Sequence, residues 1–214
     1  MSWGAWTLMA VTPISFVWAA LNIKEVFPKW DWKFEFLKDF ESWCRKQMIP
    51  WAWVTIILAV ILGVYTGILF SAFNARPLWN TSILGPLFLT SGLSTGAAAI
   101  MLMSKDHAER TVFARIDILL IAIELFLIVH MFMGFMASTQ VQIEAARLFL
   151  GGPYTAAFWI FVVGLGLIIP AFLEILELLK KQVPVIIPAL LVLFGGIMMR
   201  FLIAYAGQAS RWLY

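Results

Sequence analysis

Charge is scarce in this chain of 214 residues, of which only 13% are Asp, Glu, Lys or Arg. A soluble domain carries about 25%, so a fully water-exposed surface is excluded. The single cysteine, Cys44, permits no intrachain disulfide and cannot by itself ligate an iron–sulfur cluster. Histidine occurs only at His107 and His130. His107 falls in a charged connection, so a haem held between two membrane histidines is not expected, and no metal site is expected either. Glycine-rich nucleotide loops, metalloprotease helices and nucleophile elbows are missing, and Gly134 and Gly151-Gly152 do not build a phosphate site. The opening Met1-Ser2-Trp3-Gly4 has no basic stretch, so no cleavable signal peptide is expected.

What the sequence does contain is apolar. Hydrophobic residues make up 63% and mean hydropathy is +0.93. Runs of about twenty apolar residues match the length needed to cross about 30 Å of hydrocarbon. The expectation is an all-α polytopic bundle, one membrane domain over 1–214. Its six spans lie at about 3–23, 51–73, 82–104, 116–137, 155–179 and 185–209. Segment 24–50 reads as an amphipathic stretch on the inner leaflet, with Leu37, Phe40 and Cys44 on one helical stripe. The connections 24–50, 105–115 and 180–184 hold eleven Lys and Arg, against three (Arg76, Arg147 and Arg211) on the other side. That asymmetry puts the first group in the cytoplasm and both chain ends on the outer, periplasmic side. The net charge of +3 lies in these connections and does not argue for nucleic acid.

Against this background the polar residues stand out. The hinge Asn74-Ala75-Arg76-Pro77-Leu78-Trp79-Asn80 joins two spans and suits the docking of something polar. Tyr65, His130 and Arg200 come from three different spans, each roughly 20 Å above the inner surface at 1.5 Å per residue. Ser91 and Ser94 reach a similar layer. A phenol, an imidazole and a guanidinium at one depth can surround a small polar headgroup with its tail in lipid, as a quinone has. Each also has an ordinary reading: a Tyr bonded to a helix carbonyl, a packed His, an Arg that snorkels outward or neutralises Glu124. Asp117 and Glu124 are seven residues apart, about two turns, and share one stripe roughly 10 Å long. Two acids on one stripe suit a proton path, although Asp117 could equally cap its helix.

At these residues a family becomes recognisable. Tyr65-Thr66-Gly67, Arg76-Pro77-Leu78-Trp79-Asn80, Ser91-Gly92-Leu93-Ser94 and the ending Arg200-Phe201-Leu202 through Ala206-Gly207-Gln208 resemble the NrfD/polysulfide reductase membrane-subunit family. The resemblance implies a quinone-interacting subunit without haem or iron–sulfur cluster of its own. The family's quinone-pocket Tyr maps onto Tyr65; joined with the residue reading above, menaquinone or ubiquinone is expected to be bound by Tyr65, Arg76, Trp79, Asn80, His130, Arg200 and Gln208, with protons carried by Asp117 and Glu124. It also implies an extracytoplasmic four-cluster iron–sulfur partner, a molybdopterin catalytic subunit in some complexes, and a bacterial or archaeal inner membrane. The sequence begins where the family's third helix begins, so upstream membrane helices are expected elsewhere. The rival expectations are a transporter or ion channel built on the Asp, Glu and Arg path, and a membrane anchor without a quinone site.

Overall fold

The computed structural model describes residues 3–21, 35–179 and 184–211, and among these the regular structure is entirely helical. In chain order the helices are α1 (Trp3–Leu21), α2 (Glu35–Lys46), α3 (Met48–Ser71), α4 (Leu84–Met103), α5 (His107–Met136), α6 (Gln140–Arg147), α7 (Ala157–Leu178) and α8 (Ile186–Ala209). Six of them, all but α2 and α6, are long and apolar enough to cross a membrane. The protein is therefore a multi-pass membrane protein, and the expected six spans are present.

Their ends differ from the hydropathy reading in an instructive way. The fourth span is expected from 116, but α5 begins at His107, where the Asp106 carboxylate accepts from the Ala108 amide as a helix cap. Hydropathy marks where charge stops, whereas the cap marks where the helix starts. The two turns carrying Glu109, Arg110 and Arg115 are helix that hydropathy cannot see. Helix α6, in the connection after α5, is not anticipated by the apolar runs. Of the expected interfacial segment, 35–46 is the helix α2, and 24–34 lies outside the described residues.

The contacts divide the protein into two compact units, Met1–Tyr65 and Thr66–Tyr214, with the division falling inside α3. In the first unit, Arg45 Nη2 donates to the Leu21 carbonyl at 2.7 Å, tying α2 to the end of α1. Trp18 Nε1 donates to Thr55 Oγ1 at 3.2 Å, tying α1 to α3. Cys44 is buried at the side of an apolar cleft of about 330 Å³, lined also by Pro13, Trp18, Phe40 and Trp51. Trp53, Ile56, Ile57 and Ile61 are exposed along α3, as befits a lipid-facing surface.

In the second unit α4, α5, α7 and α8 pack around Leu87, Met101, Ile121, Ile128, Phe158, Met199 and Ile203. In lipid the apolar effect does not drive helices together, so close van der Waals contact has to. One such contact is glycine on glycine: a Cβ on Gly195 would lie 2.3 Å from the Gly166 Cα. The first half of α7, Ala157–Ile168, is wound as a π-helix, and the Ile169 amide bonds back to the Gly164 carbonyl five residues earlier. Wider winding of this kind changes which face the following turns present, and π-bulges within helices are frequent at functional sites.

A comparison of two glycines tests the packing. Gly195→Ala is expected to destabilise the protein in detergent by about 2 kcal/mol, because neither backbone can retreat without moving its helix. Gly134→Ala, where an added Cβ meets nothing within 4 Å, is expected to be neutral or slightly stabilising through helix propensity. Equal melting shifts for the two would contradict the close crossing.

Candidate functional site

The second unit buries an unusual set of polar side chains. Ser91, Ser94, Asp117, Glu124 and Glu174 are each no more than 2% exposed. They come from α4, α5 and α7, and Arg200 joins them from α8. Ionisable groups inside a span are costly and face the bundle interior, where partners can be found. Here they fall into two layers.

In the first layer, Arg200 Nη1 donates to the Gly196 carbonyl at 2.8 Å and to Ser91 Oγ at 3.4 Å. The Glu124 carboxylate interacts with both the Ser91 hydroxyl and the Arg200 guanidinium. Gly196 makes room for this: a Cβ there would sit 3.2 Å from Arg200 Nη1 and 2.5 Å from a Thr95 methyl. A buried acid thus faces a guanidinium across a serine. In the second layer, Ser94 Oγ donates to Asp117 Oδ1 at 2.5 Å. The Asp117 and Glu174 carboxyls face one another. Asp117 and Glu124 are separated by seven residues of α5, about 10 Å of rise, so the layers form a short ladder of acids.

The other sequence candidates are placed differently. Arg76 Nη1 donates to the carbonyls of Gln208 at 2.5 Å and Ser210 at 2.9 Å. These lie at the C-terminal end of α8, where carbonyls lack helical partners and favour a cation. Trp79 is buried, stacks on Phe70 with ring centroids 4.7 Å apart, and donates from Nε1 to the Ile203 carbonyl at 3.0 Å. Its indole fits only because Gly207 has no side chain, since a Cβ there would fall 1.7 Å from Nε1. The hinge is thereby fastened to α8. Asn80 is exposed, and its carbonyl accepts from Gln142 Nε2 of α6 at 3.0 Å. The Gln208 side chain is exposed as well.

His130 lies on an exposed face of α5 and stacks on Phe126 with centroids 5.6 Å apart, while Ile128 and Met131 face the core. Arg200 turns instead toward Ser91 and Gly196, so the bundle does not gather these two side chains. Tyr65 belongs to the first unit, where its half-buried ring covers Gly4; a Cβ on Gly4 would lie 2.0 Å from the ring. Among the described residues, no group of three or more His, Cys, Asp and Glu side chains is arranged to hold a metal ion.

Glu174 is the functional candidate that sequence reasoning misses. It stands near the end of its span beside Glu177, Lys180 and Lys181, and so merges with a charged connection. Its position within the apolar run 155–179 is the available signal, the same one that singles out Glu124.

Comparison with known proteins agrees with this architecture. The sequence is 40% identical to Protein NrfD of Escherichia coli over 164 residues, covering 72% of this protein and 52% of that one. It is 33% identical to the C subunit of the polysulfide reductase of Wolinella succinogenes over 187 residues, covering 82% of this protein and 59% of the relative. A third relative, Protein NrfD homolog of Haemophilus influenzae, is 30% identical over 188 residues, covering 83% and 59%. The sequence thus spans a little over half the length of the curated relatives it matches. The family described as Polysulphide reductase, NrfD matches residues 1–210. By that match over nearly its whole length, the protein belongs to the NrfD/polysulphide reductase family.

Proposed function

We propose that this protein is the quinone-interacting membrane subunit of a respiratory oxidoreductase complex in a bacterial or archaeal inner membrane. In this reading it links the menaquinone or ubiquinone pool to an iron–sulfur subunit on the extracytoplasmic face, with a molybdopterin catalytic subunit beyond it in some complexes. Family membership supports the reading, as does a relative named as one component of a polysulfide reductase. The observation that carries it is the ladder of buried acids, because quinone chemistry at a membrane site must exchange protons as well as electrons. A lipid-facing anchor has no use for five polar side chains at 2% exposure or less.

The residues divide into four tasks. Tyr65 supplies a phenol that can donate to a quinone oxygen, and Arg200 supplies a guanidinium with its own acid, Glu124, close by. A bound quinone would bring two-electron, two-proton redox chemistry. Donors of this kind fit its carbonyls, which only accept. Arg76 and Trp79 hold the hinge against the end of α8, so in this reading they shape the mouth of the site, with Asn80 and Gln208 exposed beside them. His130, on its exposed face, contributes from the lipid side or from contact with a further subunit. Asp117 and Glu124 form the proton path. In this reading the Asp117 end faces the cytoplasm, which the excess of Lys and Arg in the connections at that end supports.

The test is Tyr65→Phe in the purified complex. Removing one hydroxyl leaves the ring over Gly4, so assembly is expected to persist. Quinol-linked turnover is expected to fall by about tenfold, the loss of one hydrogen bond of about 1.4 kcal/mol in the transition state. Unchanged turnover would remove Tyr65 from the site.

A further inference from the structure

The pair Asp117 and Glu174 is a second chemical entity within the ladder. Both side chains are fully buried, at 0% exposure. Ser94 satisfies Asp117 Oδ1, but Asp117 Oδ2 and both Glu174 oxygens have no hydrogen-bond partner among the described residues. Among the described residues none offers the pair a countercharge. Helix α4 carries no Lys, Arg or His, and neither does α7. The cation of α8, Arg200, is directed to Ser91, Gly196 and Glu124. On α5, Arg110 is bound to the Ser104 carbonyl and Arg115 is exposed. The other charged groups that face the pair, Glu124 and Glu177, are themselves acids.

Two carboxylates in contact in a low-dielectric interior cannot both remain ionised. One proton resolves the conflict: it turns one acceptor into a donor, supplies the missing hydrogen bond and halves the buried charge. We propose that Asp117 and Glu174 form a carboxyl dyad that holds a single shared proton and serves as the loading station below Glu124. Relay is an exchange: as the shared proton leaves toward Glu124, another enters from the far side of the pair, so the dyad stays a carboxylic acid hydrogen-bonded to a carboxylate, with no change in electron count. Ser94 keeps its bond to Asp117 Oδ1 throughout and fixes which oxygen, Oδ2, faces Glu174. The π-wound first half of α7 sets the rotation of the turns that follow and so aims Glu174 at α5.

This assignment deepens the proton-path part of the proposed function, and its test reads protonation directly rather than turnover. Infrared titration of the complete purified complex is expected to show one carboxylic C=O band, sensitive to deuterium exchange, that belongs to the pair. Glu174→Gln and Asp117→Asn should each abolish that band, because either leaves a lone acid with an amide donor as partner. Ser94→Ala should shift the band without removing it. A band that survives both isosteric variants would overturn the dyad. So would displacement of the band by sodium at constant pH, which would make the site a cation site. If Tyr65→Phe leaves quinol turnover untouched while the band behaves as described, the quinone assignment fails and the dyad stands.

Discussion

Arg200→Met is expected to lower the stability of the membrane bundle by about 3 kcal/mol, the scale on which stranding one member of a buried charge pair destabilises a protein. The variant leaves Glu124, 2% exposed, facing Ser91 with no cation. Methionine fills much of the same volume, so packing loss is a minor part of the effect. The distinguishing feature is rescue. Arg200→Met combined with Glu124→Gln removes both charges, and most of the loss should be recovered, giving a strongly non-additive cycle. Thermal unfolding in detergent of the wild type, both single variants and the double variant measures the coupling. Additive losses would mean that the two groups do not sense one another.

The second large effect is expected at Trp79. Trp79→Ala removes a buried indole that stacks on Phe70, covers Gly207 and satisfies the Ile203 carbonyl. The loss should be about 3 to 5 kcal/mol, the range for deleting a large buried aromatic. Trp79→Phe, which retains most of the ring contact but not the N–H, should lose only about 1 kcal/mol. If both variants melted alike, the hydrogen bond to Ile203 rather than the ring would be holding the hinge.

These two residues also show what is legible in the sequence. Six spans can be read because hydrocarbon thickness dictates an apolar run of fixed length, and each run is present. The acids on α5 can be read because seven residues return to nearly the same face of a helix. Ser91 and Ser94, three residues apart, are likewise neighbours on one helix face. The role of Arg76 and Trp79 is not legible. Their residue types suggest ligand docking, but what they meet is the set of backbone carbonyls at the end of α8, and backbone groups leave no mark in a sequence. Nor can the gathering of Tyr65, His130 and Arg200 at one depth be judged from rise alone. Depth follows from counting residues, whereas azimuth depends on packing, and the packing turns His130 outward and Arg200 inward. The π-winding of α7 is hidden for a related reason: Ala157–Ile168 is uniformly apolar, so no polar residue reports its rotation. Glu174 escapes notice because a charged connection follows so closely.

Photolabelling of the intact complex with an azido-quinone, followed by mass spectrometry of the modified peptides, locates the proposed quinone site. Labels on the helices that carry Tyr65 and Arg200, displaced by excess unlabelled quinone, are the expected result. Labels confined to other subunits, or labels that excess quinone does not displace, would contradict it.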